Sequence, residues 1–209
     1  RNAIANDELI VYYQPIIDTA TEQLHALEAL VRWRRPGHET LVPPDEFIGF
    51  AERSSLIIDV DRWVIGAVVR QIAEWRDDPR YGGVPVAINV SGRHLADDHF
   101  VQHVLQPIEE HGVDAHGIII EVTESALLDD LASAAVKLQR LRDAGIAVSI
   151  DDFGTGYTSL AHLRSLPVDI LKIDRSFSAN AARNAHEASI VKLIIDTGHL
   201  LGATITAEG

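Results

Sequence analysis

The sequence of 209 residues contains no cysteine and no methionine. The lack of cysteine excludes a disulfide framework, a thiolate metal site and a cysteine nucleophile, and it agrees with a reducing compartment. We therefore expect a cytoplasmic domain. Because the chain starts at Arg1 and has no methionine to initiate translation, we expect it to be a piece of a larger multidomain protein. Whether that parent protein is anchored in a membrane stays open.

Basic residues are also scarce, with 18 lysines and arginines against 31 aspartates and glutamates. This charge balance argues against the binding of a nucleic-acid polymer, because basic side chains are needed to displace the counterions of its phosphates. A small anionic ligand still fits if a metal ion and a few arginines reverse the field locally. No apolar run approaches the roughly 18 residues of a membrane span. The hydrophobic content of 46% suffices for one core, so we expect a single domain over residues 1–209.

The order of the elements predicts an α/β fold. Two β-rich runs, residues 9–17 and 24–33, are joined by so short a turn that we expect them to pair antiparallel. Beyond them, apolar strands alternate with helices, which indicates a parallel sheet whose right-handed crossovers curl it into a barrel. The later strands are predicted at 84–91, 117–124, 146–152, 169–174 and 203–208, and the helices from Pro44 and at 61–75, 94–110, 131–144 and 187–201.

The stretch from Ser149 to Leu160 combines a buried strand, two adjacent aspartates and a Gly-x-Gly turn. A short helix with Leu160, Leu163 and Leu166 on one face is predicted to follow. The adjacent carboxylates of Asp151 and Asp152 repel each other, so the pair needs a nearby positive charge, and a divalent cation is one candidate. A solvated Asp-Asp turn is the other interpretation, and it would be preferred if the stretch stood alone.

Polar side chains lie near the carboxyl ends of several predicted strands, and in an α/β barrel these ends meet at one mouth. They are Glu28, Asn89, Glu121, Asp151, Asp152, Lys172 and Glu208. Taken alone, Glu28 has an alternative in pairing with the arginines that follow it. Together, five carboxylates and an amide suit hard cations such as Mg²⁺ or Mn²⁺. Two such ions about 3.5–4 Å apart activate water for in-line displacement at phosphorus, so we predict phosphodiester hydrolysis with Asp151 bridging the ions.

Two histidines, His99 and His103, have the i, i+4 spacing of a helical zinc pair. No third ligand joins them convincingly in the sequence, so a solvated helix face is the favoured interpretation. Trp63 and Trp75 fall at helical spacing among apolar residues, and we predict that they are core anchors rather than ligand contacts.

These motifs, in this order, resemble those of the EAL-type cyclic di-GMP phosphodiesterases. The resemblance covers nearly the whole chain, and it rests on Tyr13-Gln14-Pro15-Ile16, Glu28-Ala29-Leu30-Val31-Arg32-Trp33, Asn89-Val90-Ser91, Glu121-Val122-Thr123-Glu124, Asp151-Asp152-Phe153-Gly154-Thr155-Gly156-Tyr157, Leu171-Lys172-Ile173-Asp174 and Ala207-Glu208-Gly209. It implies a modified TIM-type (β/α)8 barrel with an antiparallel first strand. It also implies metal-dependent hydrolysis of cyclic di-GMP to linear pGpG in bacterial second-messenger signalling.

The same resemblance implies the residues that hold the metal ions and carry the chemistry. One Mg²⁺ or Mn²⁺ ion would be held by Glu28, Asn89, Glu121 and Asp151. The second ion would be served by Asp151, Asp152 and Glu208, partly through water. Lys172 would touch the attacking water or the scissile phosphate, and it would form the catalytic set together with Glu28, Asp151 and Glu208.

The remaining implied roles concern the substrate and the partners. Arg32 would bind a ligand phosphate, Gln14 would bind a guanine, and Asp174 would be a further substrate contact. Glu124 would stabilise the loop of residues 153–159, which in the family links metal occupancy to dimer contacts. We therefore expect a homodimer, fused to sensory or GGDEF-type domains.

The sequence departs from the family at its end and leaves alternatives for its function. Family chains continue past the Ala-Glu-Gly motif with a helix, an eighth strand and a nearby glutamine, whereas this sequence stops at Gly209, so we expect a barrel without its C-terminal strand and helix. One alternative function is a receptor that binds cyclic di-GMP without cutting it. Such receptors usually lack a metal ligand or the lysine, and here all of these positions are filled. Another is a hydrolase of a different phosphate ester, against which Gln14 and Arg32 argue.

Overall fold

The computed structural model describes residues 2–154, 166–181 and 183–208. The chain divides into two compact units, Arg1–Ile119 and Ile120–Gly209. Within each unit the strands follow one another in chain order. The predicted short helix with Leu160 and Leu163, most of the predicted loop 153–159, and Gly209 lie outside the described residues.

The first unit begins with an antiparallel strand pair and continues with helices that alternate with one further strand. Its strands are β1 (Leu9–Ile17), β2 (Leu24–Trp33) and β3 (Val86–Val90), and its helices are α1 (Asn2–Ala5), α2 (Pro44–Glu52), α3 (Leu56–Trp75), α4 (Gly92–Ala96) and α5 (Phe100–His111). A 3₁₀ turn, Ala115–Gly117, then leads into strand β4 (Ile118–Thr123), along which the chain passes into the second unit.

Strands β1 and β2 pair antiparallel, with Gln14 opposite Glu28, so the predicted direction of the first strand is confirmed. The connection is closed by Asp18, whose carboxylate accepts hydrogen bonds from the backbone N of Ala20 at 3.0 Å and of Thr21 at 2.7 Å. Side chains of this type favour tight turns because they satisfy the free backbone donors locally. Strand β2 then pairs in parallel with β3.

Helix α3 packs its apolar face on the strands of the first unit. Val68 of the helix and Ile88 of strand β3 are completely buried. Burying one such aliphatic side chain contributes about 1.5–3 kcal/mol relative to leaving it exposed. Trp75 packs edge-on against Tyr13 of β1 with ring centroids 4.8 Å apart, so it anchors the helix to the strand as predicted.

The structure corrects the bounds of two predicted helices. Helix α3 begins at Leu56 rather than near residue 61, because Ile57 already belongs to its buried face. The single helix predicted over residues 94–110 is two helices, α4 and α5. The break occurs at Asp97, which adopts an extended conformation with ψ 134° and accepts a hydrogen bond from the backbone N of His99 at 2.7 Å.

The two histidines interpreted as a solvated helix face differ in exposure, and His103 is only partly exposed. The side chain of His99 is 71% exposed at the start of α5, as that interpretation requires. The Nδ1 atom of His103 instead lies 3.1 Å from Nε2 of His94, which is completely buried. The separate helix α4 brings His94 to this position, and the sequence pattern had merged α4 with α5. Among residues 2–154, 166–181 and 183–208, no three His, Cys, Asp or Glu side chains are grouped at the spacing of a preformed metal site.

The second unit alternates strands and helices. Its further strands are β5 (Ala147–Phe153), β6 (Ile170–Ile173) and β7 (Thr204–Ala207), and its described helices are α6 (Glu124–Leu128), α7 (Leu131–Asp143), α8 (Arg175–Ala181) and α9 (Ala185–Leu200). Strand β6 pairs in parallel with both β5 and β7. Arg142 of α7 donates two parallel hydrogen bonds, at 3.0 and 2.8 Å, to the carboxylate of Asp169, which also accepts from the backbone N of Val148 at 2.9 Å. These hydrogen bonds join helix α7 to the starts of strands β5 and β6.

These pairings confirm the predicted α/β class, with β1 antiparallel and the other described strand pairs parallel. The helices that follow the strands bury one face against them, as expected for crossover connections. Among the described residues, no helix combines the length and the apolar character that crossing a bilayer requires.

Gly82 lies in the turn between α3 and β3, where the backbone closes on itself. A Cβ atom at this position would lie 2.7 Å from the carbonyl oxygen of Arg76 and 2.8 Å from that of Asp78. Because backbone atoms cannot rotate away as a side chain would, we expect Gly82→Ala to lower the free energy of unfolding by about 1–3 kcal/mol. Urea denaturation followed by circular dichroism measures this change.

Gly117→Ala is the matched control, because no atom lies within 4 Å of the Cβ that it would add. Its unfolding midpoint should stay close to that of the parent. If Gly82→Ala had the parent's midpoint as well, the close backbone approach at Gly82 would be contradicted.

Candidate active site

The first group of candidate site residues lies on the strands of the first unit. Glu28 and Asn89 come from β2 and β3, and Nδ2 of Asn89 donates a hydrogen bond of 3.0 Å to Oε1 of Glu28. Strand registry explains the contact. Glu28 pairs with Ala87 of β3, and Asn89 is two residues beyond Ala87, so its side chain lies on the same face of the sheet as that of Ala87 and Glu28. With its Nδ2 directed at a carboxylate, Asn89 has Oδ1 as the atom suited to a cation.

The two predicted substrate contacts of the first unit share that face. Gln14 is opposite Glu28 in the antiparallel pair, and Arg32 is four residues beyond Glu28 on the same strand, so all three side chains start from one side of the ribbon. Gln14 is exposed and Arg32 is half-buried. The Nη1 atom of Arg32 donates to the carbonyl oxygen of Val31 at 2.9 Å, which leaves four further guanidinium N–H groups for other acceptors.

The second group gathers around a buried lysine in the second unit. The Nζ atom of Lys172, on β6, lies 3.0 Å from Oε2 of Glu121, 3.3 Å from Oδ2 of Asp151 and 2.9 Å from Oε1 of Glu208. The side chains of Lys172 and Glu121 are only 1% and 2% exposed. A lone buried charge is costly, and mutual pairing offsets that cost. Three of the acids that the sequence singled out in this unit therefore lie around one ammonium group.

Acidic residues outnumber the lysine in this group, and the pKa values of two of them reflect their surroundings. Burial raises the pKa of Asp152, and the carboxylates of Asp151, Asp174 and Glu208 raise it further. The pKa of Asp174 is lowered, chiefly because the hydroxyl and the backbone N of Ser176 donate hydrogen bonds to its carboxylate. The environment of Asp152 thus disfavours additional negative charge in the absence of a further cation.

The backbone at the end of β5 is irregular where its two aspartates lie. The pairing with β6 shifts register between Ile150 and Phe153. Asp152 has a φ of 56°, in the left-handed region, and its backbone N donates to Oδ1 of Asp151 at 2.9 Å. A β-bulge of this kind redirects side chains at the end of a strand. In a regular strand, the successive side chains of Asp151 and Asp152 would point to opposite faces, and the bulge changes that alternation.

Glu124 contacts the start of the loop that it was predicted to stabilise. Its side chain is buried, and its Oε2 atom accepts a hydrogen bond of 3.0 Å from the backbone N of Gly154. Gly154 has a φ of 99°, a conformation in which glycine avoids the steric cost that other residues meet. Because residues 155–165 lie outside the described part of the chain, the role of Glu124 toward the whole loop stays a prediction.

Glu208 is held by a residue that sequence reasoning missed. The Oγ atom of Ser178, on α8, donates a hydrogen bond to the carbonyl oxygen of Glu208, while the backbone N of Glu208 donates to the carbonyl of Ile173 at 3.1 Å. Both contacts act on the backbone, so they position the side chain that reaches Lys172. No pattern in the sequence identifies Ser178, because a serine in a short polar helix is usually solvent-exposed.

A second missed residue, Asp61, was detectable in the sequence. It is 6% exposed, and it lies on helix α3 four residues after Ile57 and four before Ile65, in the middle of an apolar stripe. A carboxylate in such a stripe needs a polar partner. Asp61 finds it in Ser91, which follows Asn89 by two residues.

The donor chemistry of both groups fits hard divalent cations. Carboxylate and amide oxygens are the ligands that Mg²⁺ and Mn²⁺ prefer, and the carboxylates around Lys172 exceed the charge that one ammonium can balance. In the described part of the chain, the acidic side chains do not form a cage already spaced for a metal ion. The ammonium of Lys172 lies among them instead.

Relatives of the chain are named cyclic di-GMP phosphodiesterases. Cyclic di-GMP phosphodiesterase PdeR of Escherichia coli (strain K12) is 39% identical over 209 residues, which is 100% of this chain and 31% of the relative. Cyclic di-GMP phosphodiesterase NbdA of Pseudomonas aeruginosa is also 39% identical over 209 residues, covering 100% of this chain and 26% of the relative. The chain therefore spans about a third or less of the length of these relatives.

Solved structures resemble the chain over its whole length. The PaMucR phosphodiesterase in complex with c-di-GMP is 36% identical with a TM-score of 0.93, covering 100% of this chain and 84% of that one. The EAL enzyme Bd1971 in its cAMP and cyclic-di-GMP bound form is 33% identical with a TM-score of 0.91, covering 100% and 57%. These similarities confirm the fold class predicted from the sequence. Since the EAL domain family also matches residues 1–209 in full, the chain belongs to the EAL domain family.

Proposed function

We propose that this chain is a metal-dependent phosphodiesterase that hydrolyses cyclic di-GMP to linear pGpG in bacterial second-messenger signalling. The observation that carries the proposal is the position of Lys172 Nζ within 2.9–3.3 Å of the carboxylates of Glu121, Asp151 and Glu208. A structural lysine needs one partner. Three acids around one ammonium leave an excess of negative charge that favours the binding of further cations.

We propose that each of the two groups of site residues contains metal ligands. They are Glu28, Asn89, Glu121, Asp151, Asp152 and Glu208. The hydrogen bond from Asn89 to Glu28 and the crowding of acids around Lys172 support this assignment, because both arrangements present oxygen atoms of the kind that hard cations bind. When bound, two such cations supply Lewis-acid stabilisation of the phosphate and make a water molecule a stronger nucleophile.

The chain's own residues orient the reaction. Water would form a bond to phosphorus at one phosphodiester while the phosphorus–oxygen bond opposite to it breaks. The water gives up one proton and the departing oxygen takes one up to become a hydroxyl, so the ring opens into a linear dinucleotide. Lys172 would donate a hydrogen bond to the attacking water or to the phosphate, and its burial keeps the ammonium directed into the site. Arg32 would hold a phosphate, Gln14 a guanine edge, and Asp174 a further part of the substrate. Gln14 and Arg32 are suited to this by sharing one strand face with Glu28.

The wider assembly is also a proposal. We propose a cytoplasmic homodimer in which this domain is fused to sensory or GGDEF-type domains. Relatives support the fusion, since a bifunctional diguanylate cyclase/cyclic di-GMP phosphodiesterase, MucR of Pseudomonas aeruginosa, and the oxygen sensor protein DosP of Escherichia coli (strain K12) exceed the chain in length about threefold to fourfold.

Removal of the metal or of Glu28 tests the proposed activity directly. We expect the chain to convert cyclic di-GMP to pGpG with Mg²⁺ or Mn²⁺ and to stop when a chelator is added. Glu28→Gln keeps the size of the side chain but removes its charge, so turnover should fall by about 100-fold or more. Product analysis by liquid chromatography measures both effects.

Glu39→Gln is the matched control, since Glu39 is an exposed acid of the same unit. It should turn over substrate like the parent. Equal rates for Glu28→Gln and the parent, or a rate unaffected by chelator, would contradict the assignment of a metal-dependent hydrolase.

Replacement of Lys172 separates chemistry from binding. Lys172→Met fills similar space without the ammonium, so we expect kcat to fall by about 100-fold or more while KM changes little. The control is Lys192→Met, which removes an exposed lysine paired with Asp196 at 2.7 Å. Steady-state kinetics with cyclic di-GMP distinguish the outcomes, and a change confined to KM would support a binding receptor instead of a hydrolase.

Replacement of Arg32 tests substrate recognition. Arg32→Ala removes a charge-assisted hydrogen bond, so KM for cyclic di-GMP should rise about tenfold with a smaller change in kcat. Arg35→Ala is the control, because Arg35 lies over the ring of Trp33 at 5.5 Å rather than on the face of Glu28. Unchanged KM in Arg32→Ala would remove Arg32 from the substrate site.

A further inference from the structure

The segment that carries Asn89 is attached to helix α3 through Asp61. The Oδ2 atom of Asp61 accepts two hydrogen bonds from Ser91, one from the backbone N at 3.0 Å and one from the hydroxyl Oγ at 2.6 Å. Ser91 follows the last residue of β3 and is only two residues beyond Asn89. A single carboxylate oxygen therefore holds both the backbone and the side chain of the residue that ends the Asn89 strand.

A buried histidine lies close to the carboxylate of Asp61. His94 is completely buried, and its Nδ1 atom lies 3.5 Å from the same Oδ2 of Asp61. The carboxylate favours a proton on Nδ1, which leaves Nε2 of His94 as an acceptor. Nδ1 of His103 lies 3.1 Å from that Nε2 and is then the donor. Among the described residues, Nδ1 of His94 has no hydrogen-bond partner, so the hydrogen bonds that Oδ2 of Asp61 accepts here come from Ser91.

Ser91 also fixes the beginning of the next helix. Its Oγ atom accepts a hydrogen bond from the backbone N of His94 at 3.3 Å, which caps helix α4. Because the hydroxyl donates to Asp61 and accepts from His94, its orientation is determined at both ends. Val90, between Asn89 and Ser91, is 5% exposed and packs in the core. Both residues that follow Asn89 are therefore fixed by the interior of the unit.

We propose that Asp61 is a positioning residue that sets the orientation of Asn89 toward the metal. This inference rests on the proposed function, in which Asn89 is a metal ligand. Asp61 acts through Ser91 and touches neither metal nor substrate. The partners of metal ligands commonly change metal affinity by about 10–100-fold when they are removed, because a ligand that is free to rotate binds less often in the productive geometry.

The experiment compares Mn²⁺ affinity with stability in a set of variants. Mn²⁺ binding is measured by isothermal titration calorimetry. The values of kcat and KM are measured with cyclic di-GMP as substrate, and the unfolding midpoint is measured by circular dichroism. Asp61→Ala should weaken Mn²⁺ binding about tenfold and lower kcat more than it raises KM. Asp61→Asn retains an oxygen that can accept from Ser91, so it should restore the parent's Mn²⁺ affinity to within about threefold.

A second position keeps the test independent of how well Asp61→Ala folds. Ser91→Ala removes the hydroxyl donor and keeps the backbone donor, so it should weaken Mn²⁺ binding by about threefold. Adding Ser91→Ala to Asp61→Ala should weaken it no further, because both changes remove the same link. Glu74→Gln is the matched control, since Glu74 is an exposed acid of α3 whose carboxylate accepts a hydrogen bond from Gln71 at 3.1 Å. It should bind Mn²⁺ like the parent.

The outcomes separate this inference from the proposed function. A parent chain that binds no Mn²⁺ would overturn both. The inference alone would be overturned by a different result. In that result the parent binds Mn²⁺ and cleaves cyclic di-GMP, and the Asp61→Ala and Ser91→Ala variants unfold earlier but bind Mn²⁺ as well as the parent does. Weaker Mn²⁺ binding in those variants, restored by Asp61→Asn, would support it.

Discussion

A single buried ammonium determines the arrangement of the second unit. Lys172 is 1% exposed, and its Nζ atom contacts carboxylates carried by β4, by β5 and by the residue after β7. Glu121, whose side chain is 2% exposed, could not be buried alone at an acceptable cost, and the lysine could not be buried without carboxylate partners. The strand ends are therefore held to one another by charge as well as by backbone hydrogen bonds. Since the acids exceed the lysine in charge, the same cluster that organises the fold also favours additional cations.

In the first unit, the alternation of side chains along the strands brings the candidate site residues to one face. Side chains alternate between the faces of a strand, so residues an even number of positions apart, and residues opposite each other in an antiparallel pair, share a face. Gln14, Glu28 and Arg32 meet this condition, and Asn89 joins them through the parallel registry of β2 and β3. Four polar side chains thus lie on one surface because of registry alone, without any loop to arrange them.

The sequence was sufficient for features that depend on local pattern. The antiparallel pairing of β1 and β2 followed from a short turn, and the strand-end acids followed from apolar runs that stop at a carboxylate. Contacts between distant side chains were not predictable in this way. The link from Ser178 to Glu208 and the pair of His94 and His103 depend on how helices pack, and the extended conformation at Asp97, which separates α4 from α5, has no periodic signal. Asp61 is intermediate, because its place in an apolar stripe is visible while its partner is not.

The left-handed backbone at Asp152 restricts which residues evolution can place there. At a φ of 56°, most L-residues clash with their own carbonyl, whereas aspartate and asparagine tolerate the region and glycine meets no penalty. Replacement of Asp152 by asparagine or glycine therefore costs the backbone little, while glutamate keeps the charge but is less favourable in this conformation. The backbone conformation at Asp152, and not its charge alone, limits which residues can replace it.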